Sequence, residues 1–97
     1  MNARDEARGL YALETVAELS GLPRTRVVRY IRVGLVQPRR LQGRSPLFGD
    51  EELRQLRRIR RLTEDLGLNL AGIEVTVRLL DEIAMLRAAL ERQERAR

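Results

Sequence analysis

The chain has no cysteine, histidine, lysine or tryptophan among its 97 residues. Without cysteine there is no disulfide framework, which suits a reducing interior. Without cysteine or histidine, the usual soft-metal ligands, the thiol and imidazole nucleophiles and the imidazole base are all missing. The absence of lysine removes Schiff-base chemistry. Carboxylates remain, but they are scattered along charged, helix-like stretches and form no evident acid–base pair. The chain is therefore not expected to be an enzyme, and no cofactor or metal is expected. No uncharged apolar stretch approaches the ~18 residues that a membrane span requires. Residues 1–10 (MNARDEARGL) carry acids and no apolar run, so they do not read as a signal peptide. A soluble, cytoplasmic protein is expected.

Length and a hydrophobic share of 43% allow one small domain. Arginine supplies all 19 cations against 14 acids, a net charge of +5. The placement of this charge says more than its total. Residues 1–21 hold two Arg and four acids, net −2. Residues 22–62 hold twelve Arg against Asp50, Glu51 and Glu52, net +9. Residues 63–97 return to net −2. A basic middle between mildly acidic ends is the footprint of a polyanion-binding module, although a solvated basic face gives the same pattern.

Glycine and proline mark the boundaries of four segments with helical apolar spacing. The first runs from about Leu13 to Ser20, with Leu13, Val16, Ala17 and Leu19 on one side, and stops at Gly21. The second opens at Pro23, where the missing N–H costs nothing in a first turn, and ends at Gly34, a natural left-handed C′ residue. Two short helices joined by a tight glycine turn make a helix-turn-helix signature. In the second, Val27, Tyr30 and Ile31 face inward, while Arg26, Arg29 and Arg32 face out. Residues 35–49 (LVQPRRLQGRSPLFG) break helical periodicity and read as a small β-hairpin or loop, the wing of a winged helix-turn-helix, with Arg39, Arg40 and Arg44 at its tip. The third helix starts with Asp50 as its N-cap, Glu51 and Glu52 favouring the helix dipole, and Leu53, Leu56, Ile59 and Leu62 as its stripe. The last runs from Asn69 or Ala71 toward Arg95, with Leu79, Ile83, Leu86 and Leu90 spaced as a heptad seam. That seam needs a partner, and a second copy of the same helix is the expected one. The expected organisation is a flexible N-terminus (1–10), a winged helix-turn-helix domain (11–68) and a dimerisation helix (69–97). The fold class is all-α with a small β wing.

This order of elements resembles the MerR superfamily. The matching residues are TVAELSGLPRTRVVRYIRVGLVQPRR at 15–40 and FGDEELRQLRRIRRLTEDLGLNLAGIE at 48–74. Within the superfamily, LGLNLAGIEVTVRLLDEIAMLRAAL at 66–90 is similar to the C-terminal signature of the chaperone modulator family CbpM, and the length is also similar. The runner-up resemblance is to the heat-shock repressor HspR, which also reads NLAGI near this point. The CbpM resemblance implies a protein that binds the J-domain of a DnaJ-like, CbpA-type co-chaperone and blocks its stimulation of DnaK. The HspR resemblance implies a dimeric DNA-binding regulator.

Two departures favour the first implication. DNA-binding MerR proteins carry Thr-Leu-Arg-Tyr-Tyr-Glu before the Gly-Leu. In register with Gly34-Leu35, the family's phosphate-binding Arg falls on Val28, while Tyr30 keeps its place. The Arg of the wing's Arg-x-Tyr element falls on Pro46, and its Tyr on Phe48. A DNA surface would then use Arg24, Arg26, Arg29, Tyr30, Arg39, Arg40 and Arg44, although Tyr30 and Phe48 also read as core aromatics. J-domains present a basic helix, so a J-domain site is expected on the acids Glu64, Asp65, Glu74, Asp81 and Glu82.

Overall fold

The structure, a computed structural model, describes residues 9–97, so the expected flexible N-terminus lies almost wholly outside the described residues. The chain divides after Gly67 into two compact units. The first unit holds β1 (Tyr11–Ala12), α1 (Leu13–Ser20), α2 (Arg24–Arg32), β2 (Arg40–Gln42), β3 (Ser45–Phe48) and α3 (Asp50–Glu64). The second holds α4 (Leu70–Ala96). The fold is the expected one: helices with a small antiparallel wing, arranged as a winged helix-turn-helix, and a long C-terminal helix.

α1 buries Leu13, Val16, Ala17 and Ser20. At 3.6 residues per turn Leu19 lies off the stripe these four define, and it is exposed rather than inward as its apolar character suggested. The buried Ser20 hydroxyl is satisfied locally, donating to the Ala17 carbonyl at 3.1 Å. α1 closes at Gly21, whose φ of 75° is left-handed. The Leu22 amide then reaches back to the Ala17 carbonyl (3.1 Å) and the Gly21 amide to that of Glu18 (3.2 Å), a Schellman closure. α2 ends the same way, at Gly34 as expected, with Leu35 N donating to Tyr30 O at 2.9 Å. The first closure sets the turn from α1 into α2, and the second sets the exit from α2 toward the wing.

The wing is a three-stranded sheet in the order β1-β3-β2. Tyr11 pairs with Phe48 and Ala12 with Leu47 on one side of β3. Arg40 pairs with Leu47, Leu41 with Pro46 and Gln42 with Ser45 on the other. Pro46 cannot donate to a ladder, and it sits where β1 has already ended, so β3 is an edge at that residue. β1 was not apparent from the sequence, because two residues carry no alternation to detect.

α3 buries Leu53, Leu56, Ile59 and Leu62, the expected stripe, together with Glu52. Its N-cap is Gly49 rather than Asp50, which is already helical. The Gly49 amide donates to Glu52 Oε1 at 2.6 Å, the return half of a capping box. Phe48, Val16, Val27 and Leu56 are fully buried at the centre of this unit.

In the second unit, the Asn69 side chain accepts the Gly72 amide at 2.9 Å and caps α4. The helix runs 27 residues, about 40 Å at 1.5 Å per residue. Along it Leu79, Ile83, Leu86 and Leu90 are 44–69% exposed, so the seam is open within one chain. Among the described residues, no helix is long and apolar enough to cross a membrane.

Candidate nucleic-acid interface

α2 buries Val27 and Tyr30 and leaves Arg29 and Arg32 on the opposite side, with Arg26 exposed at the flank next to Tyr30. All three arginines are exposed, and among the described residues none has a carboxylate partner. Arg24, Thr25, Val28, Arg29 and Arg32 line a groove of about 400 Å³ along this face. Val28, standing where the family's phosphate-binding Arg is expected, is half-buried. Tyr30 is only 4% exposed, so its ring is a core group and not a stacking surface.

The other proposed cations differ in how they are held. Arg24 Nε lies 3.4 Å from Glu14 Oε1, and both side chains are well exposed. Arg44, in the β2–β3 turn, is exposed, as is Arg40 on β2. Arg39 is engaged within the fold. Its Nε is 3.3 Å from Glu52 Oε1, its Nη2 donates to Glu52 Oε2 at 3.3 Å, and Glu51 lies at 3.7 Å. Its amide donates to the Leu47 carbonyl at 2.8 Å. Arg39 thus ties the wing to the start of α3. Sequence reasoning missed that pairing, because thirteen residues separate Arg39 from Glu52 and no local pattern joins them.

Two further anchors were also missed. Arg57 donates through Nε and Nη2 to the Leu19 carbonyl at 3.3 Å, capping the end of α1 from α3. The Tyr11 hydroxyl donates to Asp50 Oδ1 at 2.6 Å. That bond, then the negative charge of Asp50, raises the Tyr11 pKa above its ordinary value.

The acids expected to meet a J-domain fall in both units. Glu64 ends α3 and accepts from Arg60 at 3.0 Å, and Asp65 follows it. Glu74, Asp81 and Glu82 lie on α4.

A family model described as "MerR HTH family regulatory protein" matches residues 11–95. The chain belongs to the MerR helix-turn-helix family. "Putative heat shock protein HspR" of Streptomyces coelicolor is 37% identical to this MerR-family chain over 79 residues, which is 81% of the chain and 52% of that relative. The chain spans about half the length of the curated relative it matches. These likenesses support a DNA-binding regulator, the second of the two expected readings, better than the chaperone modulator expected first.

Proposed function

We propose that this MerR-family chain is a non-enzymatic, dimeric transcriptional regulator that binds double-stranded DNA. The carrying observation is the exposed face of α2, where Arg26, Arg29 and Arg32 stand without a carboxylate partner among the described residues. A helix, about 10–12 Å across with its side chains, fits a major groove about 12 Å wide. Arginine is the residue that most often reads guanine there, by bidentate contact with O6 and N7. Arg40 and Arg44 of the wing grip flanking phosphates, which fixes register without reading sequence. Tyr30 acts as a core group of α2, and Arg39 acts by holding the wing in position.

Leu79, Ile83, Leu86 and Leu90 join two copies along α4, and two-fold symmetry then sets two recognition helices on two half-sites. The likeness to a protein named for heat shock extends the proposal to control of heat-shock genes. The chaperone-modulator reading has less support, because neither likeness points to a J-domain partner.

The test is titration of the full chain and of an R26A/R29A/R32A variant with a labelled DNA duplex. Binding by the natural chain and its loss in the variant, with helical content unchanged, is the expected result. Equal behaviour of the two proteins would overturn the assignment of α2.

A further inference from the structure

Between the start of α1, the start of α2 and the β2–β3 turn lies a cleft of about 240 Å³, lined in part by Glu14, Arg24, Arg44, Ser45 and Pro46. Its chemistry is lopsided. Two guanidiniums and a hydroxyl offer donors, and the single anion, Glu14, is 3.4 Å from Arg24. Resting on the DNA-binding reading above, we infer that this cleft seats one DNA backbone phosphate and that Glu14 is a resident competitor for it. The carboxylate holds Arg24 until a phosphate takes its place.

Three properties carry this inference. The Glu14–Arg24 pair is well exposed on both sides, 71% and 63%, so Glu14 can swing into solvent without disturbing the core. An exposed pair of this kind is weak enough for a bidentate Arg–phosphate contact to displace it. The cleft also joins the first residue of α2 to the wing, the two elements that have to close on the same stretch of duplex. A neutral base edge would not compete with a carboxylate as an anion does. The phosphate is therefore the matching ligand, and the contact carries no sequence information. Glu14 thus sets how firmly the protein holds DNA of any sequence.

The experiment measures anisotropy of a labelled mixed-sequence duplex against the full-length natural chain and the variants E14Q, E18Q, R24Q and E14Q/R24Q. Glu18 is the control, being exposed one turn along the same helix with no ion-pair partner among the described residues. E14Q is expected to bind about twofold to fivefold tighter than the natural chain, the range an exposed ion pair contributes. E18Q should stay close to the natural chain, R24Q should weaken binding, and E14Q should add nothing in the R24Q background. Equal gains from E14Q and E18Q, or a gain that persists without Arg24, would overturn the inference while leaving DNA binding intact. No binding by the natural chain at any salt concentration would overturn the DNA reading and this inference with it.

Discussion

Arg39 and Glu52 form a two-point ion pair at the base of the wing, with both nitrogen–oxygen separations at 3.3 Å. Glu52 is nearly buried, and its Oε1 also accepts the Gly49 amide at 2.6 Å. One carboxylate therefore caps α3 and holds the segment that leads into β2.

Replacing Glu52 with alanine removes the cap bond, orphans the Gly49 amide and leaves Arg39 only its longer 3.7 Å contact with Glu51. Bonds to charged groups of this kind contribute about 1.5–3 kcal/mol, so urea unfolding should show a loss in that range. Arg39→Ala removes one partner of the same network and should cost less, since Gly49 still caps through Glu52. Equal losses would mean that the ion pair, and not the cap, dominates.

Tyr11 gives a pH signature. Its phenol is stabilised in the neutral form by donation to Asp50, so its folded pKa lies above the unfolded value of 10.0. A raised folded pKa contributes stability that is fully present below pH 10.0 and is lost as the pH rises through the folded value. The natural chain should therefore lose stability in alkali in step with a late phenolate absorbance rise. Tyr11→Phe should remove that component of both signals, and Asp50→Asn should bring the Tyr11 titration back toward its ordinary position.

The seam on α4 predicts assembly. Ile83 and Leu86 are 44% and 69% exposed in a single chain, so aspartate at both sites disturbs little within it. Sedimentation equilibrium should give two copies for the natural chain and one for I83D/L86D. Retention of the pair in that variant would place the interface elsewhere.

Much of this architecture was legible because helices announce themselves by spacing and by their stops. Gly21 and Gly34 end α1 and α2 where expected, and Leu53, Leu56, Ile59 and Leu62 line α3 as expected. What could not be read depends on long-range partners. Asp50 has the chemistry of an N-cap, yet its carboxylate is taken by Tyr11, 39 residues earlier in the chain, and the cap falls to Gly49. Arg39 looked like its neighbour Arg40, and only the folded chain reveals the paired carboxylate that holds it. Glu52 was expected only to favour the helix dipole, because a pattern of residues does not report that its side chain is buried. Apolar character alone misplaced Leu19, which the helical register carries to the surface.

Binding of duplex phosphates by the exposed arginines of α2 and the wing is read out by the salt dependence of DNA affinity. If six to ten arginines meet phosphate, the affinity of the full chain for duplex DNA should fall by about 10³–10⁵ between 50 and 200 mM salt. A response that stays flat over that range would contradict the account.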